Sequence, residues 1–162
     1  VHETSDVARP PVDPAFESAM GRALELAREA ALEGDVPVGA LVLGPDGAVW
    51  GEGRNTRERD DDPTGHAEVV ALRAAAARVE TWRLEESTLV VTLEPCPMCA
   101  GAAMLARVGR IVLGAWDPKL GACGSVWDVV RDRRATHRIE VVGGVREAEC
   151  RQVLLDFFAD HR

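Results

Sequence analysis

Two short groups of residues carry the chemistry of this chain. His66 and Glu68 flank a single alanine, and Cys96, 28 residues beyond Glu68, lies in the stretch Pro95-Cys96-Pro97-Met98-Cys99. Imidazole and thiolate are favoured ligands of Zn2+, which holds them in a tetrahedron. Cys96 and Cys99 stand i, i+3, so at a helix start both sulfurs lie on one face. Pro97 is tolerated in that first turn because its missing N–H would be unpaired there anyway. The positive end of a helix also favours thiolates over thiols. One histidine and two cysteines leave the fourth metal position to water, as in catalytic rather than structural zinc sites. Two thiolates offset the metal charge, so a neighbouring base is needed to take a proton from that water, and Glu68 is placed to do so.

Other readings of the same residues remain open. Cys123 or Cys150 would close the site as a four-ligand structural zinc. Cys-x-x-Cys alone also suits a redox pair, although that use needs no His-x-Glu upstream. Glu68 alone would be a first-turn acid complementing its helix dipole.

The elements that must position these groups are legible from period and punctuation. Ala15 to Glu33 reads as an amphipathic helix, stopped by Gly34-Asp35. Gly39 to Leu43 and Ala48 to Gly53 read as strands joined through Pro45-Asp46-Gly47, a hairpin. Arg54 to Thr64 reads as a polar loop and Gly65 to about Val79 as a helix. Thr88 to Leu93 is a strand, Cys96 to Arg107 a helix, and Arg110 to Gly114 a strand. Asp117 to Arg134 is expected to be loop with a short helix, followed by a strand over Arg138 to Val142 and a helix over Glu147 to Phe158. Helices alternating with strands after an opening hairpin imply one mixed sheet covered on both faces.

Composition narrows the class. The 162 residues are 46% hydrophobic and 28% charged, fitting one soluble globular domain with a sizeable core. Residues 1–14 lack the apolar core of a secretory signal and are expected to form a disordered N-terminal tail, leaving 15–162 as the domain. No apolar run is long enough to span a membrane. The net charge of −8 counts against general nucleic-acid binding. Lys119 is the only lysine, the other basic residues being arginines suited to forked phosphate contacts. The absence of tyrosine rules out a tyrosine acid. Four cysteines without a signal sequence favour a metal site and reduced thiols over a disulfide framework.

His-x-Glu followed by Pro-Cys-x-x-Cys is the signature of the zinc-dependent nucleobase deaminases. The chain resembles the bacterial tRNA-specific adenosine deaminases of the cytidine/deoxycytidylate deaminase superfamily, from about Phe16 to Phe158. Val36 to Ala40, Gly51 to Asn55, Asp62 to Glu68, Ala71 to Arg73, Thr92 to Cys96, Met98 to Ala102, Gly114 to Lys119, Gly121 to Ser125 and Asp156 to Phe158 carry the resemblance. It implies an α/β fold, a three-layer α/β/α cytidine-deaminase-like arrangement with a five-stranded mixed sheet. It implies a zinc-dependent deaminase domain over 15–162, one Zn2+ per subunit, a homodimer and a cytoplasmic location. The implied partner is a tRNA anticodon stem-loop, whose adenosine at the first (wobble) position becomes inosine. Asn55 then contacts the flipped base, the Ala67 backbone helps hold it, Asp117 and Lys119 meet the surrounding loop, and Phe158 packs near it. The chain departs from the family pattern in Trp116 for a usual Arg, Thr136 for Asn, Cys123 for Ala, and a less basic C-terminus.

The expected reaction is hydrolytic. Water held and activated by zinc attacks C6 of adenine, while Glu68 takes the water proton, passes it to N1 and then assists departure of ammonia. Anticodon loops already splay their bases, so extrusion of the target costs little. Arg131, Arg133, Arg134 and Arg138, with His137, are expected either to meet RNA phosphates or to form surface ion pairs. Two other functions stay open: a deaminase of free guanine, cytosine or a nucleoside, which the acidic charge suits, and a non-catalytic zinc module.

Overall fold

The computed structural model describes residues 11–161, so residues 1–10 of the tail expected over 1–14 lie outside the described residues. The first helix, α1 (Pro14–Leu32), begins where its capping chemistry dictates. The Asp13 side chain accepts the Ala15 N–H at 2.9 Å, Pro14 occupies the first turn and Glu17 faces the positive end of the dipole. Val12, inside the expected tail, packs partly buried against the core.

Five strands form one sheet in the order β2-β1-β3-β4-β5: β1 (Gly39–Leu43), β2 (Val49–Arg54), β3 (Thr88–Leu93), β4 (Arg110–Ala115) and β5 (Glu140–Val142). β1 runs antiparallel to β2 and β3, whereas β3, β4 and β5 are parallel. Strand alternation sends Ala40, Val42, Leu89, Val91, Ile111 and Leu113 to one face. There they pack with α3 (Ala67–Val79) and α4 (Pro97–Leu105). Leu41, Leu43, Val90 and Val112 face the other way, against α1 and α5 (Glu147–Asp160). The result is the three-layer α/β/α arrangement with a mixed five-stranded sheet that the sequence implies.

Two segments differ from the sequence reading. The polar stretch after β2 contains a one-turn helix, α2 (Arg57–Asp60). The buried carboxylate of Asp35 accepts the Glu58 and Arg59 N–H groups at 3.0 and 3.2 Å, supplying the cap that makes so short a helix stable. The short helix expected within Asp117 to Arg134 is absent, and turns with one isolated bridge, Cys123 to Asp128, take its place. Its backbone donors are drawn instead to a buried carboxylate, Glu94, described below.

Glycines set the height of α3 above the sheet. A Cβ on Gly51 would sit 2.6 Å from both the Ala71 oxygen and the Ala75 nitrogen, and one on Gly53 would strike the Ala67 oxygen. With glycine at both positions the helix backbone lies directly on β2, which fixes the N-terminus of α3 beside the C-terminal end of that strand.

Candidate metal centre and substrate cleft

The centre lies at one edge of the sheet, where the parallel strands β3 and β4 end, the usual place for a site in an open α/β sheet. Gly39 pairs with Arg54 and Leu93 with Ala115 at that edge, so Asn55, Glu94 and Trp116 follow directly from neighbouring strands. Two helices start there. His66 caps α3 and Cys96 caps α4, both in extended backbone conformation. The loop between β2 and α3 closes through the Thr56 N–H, which donates to the Gly65 oxygen at 2.8 Å, and so returns the chain to His66 beside Asn55.

His66, Cys96 and Cys99 form the one metal-capable group of His, Cys, Asp and Glu residues among the described residues. Nδ1 of His66 lies 3.6 Å from the Cys96 sulfur and 3.5 Å from the Cys99 sulfur. In a zinc tetrahedron with Zn–S of about 2.3 Å and Zn–N of about 2.0–2.1 Å, a nitrogen–sulfur edge measures about 3.5–3.6 Å. The donor set therefore fits one Zn2+ in both chemistry and spacing. Cys123 and Cys150 stand outside it and are fully buried elsewhere, so the four-ligand closed site is not formed.

The Cys96 thiol is held down to about 4, first by its hydrogen bond with Cys99 and then by His66, against the opposing effect of burial. Cys99 is pushed upward by Cys96 and by burial. The hydrogen bond with Cys96 raises His66. Glu68, on the first turn of α3 and 4% exposed, is raised by burial, with its own backbone N–H, Cys99 and His66 opposing. A carboxyl raised toward neutrality beside a metal centre is suited to take a proton and give it back.

A cleft of about 510 Å3 opens over this centre. Asn55, His66, Glu68, Cys96, Asp117, Lys119 and Phe158 all line it, so the residues singled out in the sequence converge on one space. Ala67 is fully buried, and its N–H donates to the Asn55 side-chain oxygen at 2.9 Å. This bond assigns the amide orientation, leaving the Asn55 NH2 group on the cleft side of the pairing.

Of the arginines expected at RNA phosphates or in surface ion pairs, three have partners on the protein surface. Arg131 pairs with Asp128 at 3.0 Å, Arg134 pairs with Asp132 at 2.8 Å, and Arg138 donates to the Arg131 carbonyl at 2.9 Å. None of these three, nor Arg133, lines the cleft. Asp128 and Asp132 thus offset Arg131 and Arg134. The cations on the cleft wall are Arg57, Lys119 and Arg151.

Glu94 is the functional residue that sequence reasoning passed over. Its carboxylate is 2% exposed and accepts the N–H groups of Asp117, Cys123 and Ser125 at 3.0, 3.1 and 3.1 Å, together with the Ser125 hydroxyl. A Cβ on Gly121 would collide with that carboxylate, so the loop wraps it closely. Glu94 thus ties the loop carrying Asp117 and Lys119 to the strand end that leads into Cys96. The signal was an acidic residue closing an otherwise apolar strand.

The chain matches the cytidine and deoxycytidylate deaminase zinc-binding region over residues 15–115. It is 56% identical over 147 residues to a tRNA(Ile)-lysidine synthase of Deinococcus deserti, covering 91% of this chain but only 27% of that protein. It therefore spans about a quarter of the length of that relative. It is 44% identical over 143 residues to a tRNA-specific adenosine deaminase of Bacillus subtilis, covering 88% of each. A solved structure from a study of A-to-I editing by tRNA:A34 deaminases at the wobble position of transfer RNA superposes with a TM-score of 0.81 at 37% identity. That match covers 85% of this chain and 99% of the other.

Proposed function

This chain belongs to the cytidine and deoxycytidylate deaminase family, and from that premise we propose that it hydrolyses adenosine to inosine at the first anticodon position of a tRNA. The observation that carries the reading is end-to-end similarity to a tRNA-specific adenosine deaminase, at 88% of both chains, rather than a shared zinc motif alone. The His66, Cys96 and Cys99 set suits one Zn2+, which when bound supplies a Lewis acid that makes water nucleophilic near neutral pH.

Glu68 takes a proton from the attacking water and delivers it to N1 of the purine. A C6–O bond forms. Glu68 then takes the remaining proton from the new C6 hydroxyl and passes it to the exocyclic nitrogen, the C6–N bond breaks, and ammonia leaves inosine, with its C6 carbonyl, behind. Asn55 holds the flipped base through its NH2 group, since its oxygen is taken by Ala67. Ala67 therefore acts by fixing Asn55. Asp117 and Lys119 meet the anticodon loop around the target, and Phe158 bounds the far wall. The deaminase unit is residues 15–162, acting in the cytoplasm as a homodimer. Exposed apolar side chains at Met98, Leu105, Val126 and Trp127 are consistent with a second copy covering them. Among the described residues no helix is long and apolar enough to cross a membrane.

The test is an assay of zinc-loaded protein against a tRNA with adenosine at the first anticodon position, and separately against free adenosine, guanine and cytidine. Inosine appearing only in the tRNA is expected. Turnover of a free base or nucleoside instead would keep the metal chemistry and remove the RNA substrate. No ammonia from any of them would leave a zinc-binding module.

A further inference from the structure

Trp116 stands at the mouth of the cleft, the first residue after β4. Aromatic residues make up only 4% of the chain, and tryptophan is costly to leave in water. Yet this indole is 37% exposed and lines the cleft wall. It is also rigidly held. The Ala115 oxygen accepts the Glu94 N–H at 2.8 Å and the Asp117 N–H donates to the Glu94 carboxylate at 3.0 Å, so the backbone is clamped on both sides of Trp116. The six-membered ring rests on Gly143, where a Cβ would collide with it, and reaches Gly124, whose added Cβ would lie 3.6 Å away. Glycine at 143 lets the ring settle against the backbone while the rest of it stays open to the cleft.

A fixed, half-open indole beside Lys119 and Asp117, in a cleft with room for more than one base, has the properties of a stacking platform. Every nucleobase offers a π-face, and a pre-ordered aromatic loses little entropy on binding one. We propose that Trp116 stacks on the nucleobase adjacent to the reacting adenosine. The proposal rests on the RNA reading above. It assigns to Trp116 a substrate-binding role that the zinc centre does not require.

The experiment compares wild type, Trp116→Phe and Trp116→Leu on stem-loop RNAs carrying adenosine at the first anticodon position. Each RNA is used intact and with an abasic site at either flanking nucleotide. Leucine keeps apolar packing over Gly143 without a π-face, and phenylalanine keeps a smaller one. A stacked base is worth about 1–3 kcal/mol, so Trp116→Leu is expected to raise KM about 5- to 150-fold with kcat within about two-fold, and Trp116→Phe to recover most of the loss. The abasic site at one flank should cost wild type a similar factor and cost Trp116→Leu almost nothing more. Independent, multiplying losses would overturn the proposal, as would an unchanged KM in Trp116→Leu. A second measurement needs no variant: intact RNA should quench wild-type tryptophan fluorescence, and RNA lacking that one base should not. Equal quenching by both RNAs counts against stacking. No inosine from wild type with any RNA would overturn the functional reading and this inference together, whereas normal wild-type turnover with an indifferent Trp116 overturns this inference alone.

Discussion

The side-chain oxygen of Asn55 accepts the backbone N–H of Ala67 at 2.9 Å in a buried setting. One residue thus joins the end of β2 to the start of α3, between the metal-ligating His66 and the Glu68 carboxylate. Replacing Asn55 by alanine strands a buried donor, at a cost of about 1–3 kcal/mol. Asn55→Asp keeps the acceptor and replaces the NH2 donor by a carboxylate oxygen, whose charge must be held in the same buried position. Thermal unfolding is expected to show a clear loss for Asn55→Ala. Both variants should lose kcat/KM. Full activity in Asn55→Asp would mean that the NH2 group does not hold the base.

Glu68→Gln removes the ionisable carboxyl while preserving its shape in a buried position. General acid–base groups contribute about 100- to 10,000-fold, so turnover should fall by at least that range. Zinc content, measured by mass spectrometry of the metal, should stay near one per chain. A variant that binds zinc and deaminates normally would show that the proton moves by another route.

Glu94 makes a different kind of prediction, because its carboxylate is taken up by the backbone of the 117–125 loop. Glu94→Ala leaves the N–H groups of Asp117, Cys123 and Ser125 without their acceptor. The loss should exceed about 2 kcal/mol of stability. Hydrogen exchange should accelerate over 117–125 first, with zinc retained. Activity of the zinc-loaded variant should fall mainly through KM. Unaltered exchange in that loop would show that Glu94 does not organise it.

Much of the site was legible because its chemistry is written in short, local spacings. The i, i+3 cysteines and the His-x-Glu triplet name their own helix starts, and the alternation in β1 to β4 separates the two faces of the sheet. What stayed hidden depends on pairs far apart in the chain. Asp35 caps Glu58 and Arg59 across more than 20 residues, and Glu94 collects donors 23 to 31 residues away. No local pattern announces such long-range acceptors, so a one-turn helix was missed and a loop was taken for partly helical. For the arginines of 131–138 the sequence leaves two readings, RNA phosphates or surface ion pairs, and geometry favours the second for Arg131 and Arg134 through Asp128 and Asp132.

Metal removal should expose this arrangement through thiol reactivity. Cys96 is the one partly exposed cysteine, and the other three are at most 1% exposed. Cys123 and Cys150 are pushed up to about 12, in each case chiefly by burial. The zinc-loaded protein is expected to resist thiol reagents. A chelator should make Cys96 react first, while Cys123 and Cys150 stay silent until denaturant is added. Mass mapping of the labelled peptides decides it, and early labelling of Cys123 would show that its loop opens in the native state.

The distribution of free positive charge leads to the last prediction. Among the described residues, neither Lys119 nor Arg57 makes an ion pair, and both line the cleft. Arg134 holds Asp132 at 2.8 Å and lies off the cleft wall. A paired arginine must surrender its partner to reach a phosphate, whereas an unpaired cation gains from the contact and releases counterions from the RNA. Lys119→Ala and Arg57→Ala should therefore weaken stem-loop binding and each lower the slope of log affinity against log salt by about 1. Arg134→Ala should leave that slope unchanged. If Arg134→Ala flattened the slope and Lys119→Ala did not, the RNA would be crossing the 131–138 surface, and an acidic chain would be reading its substrate through arginines that first exchange one anion for another.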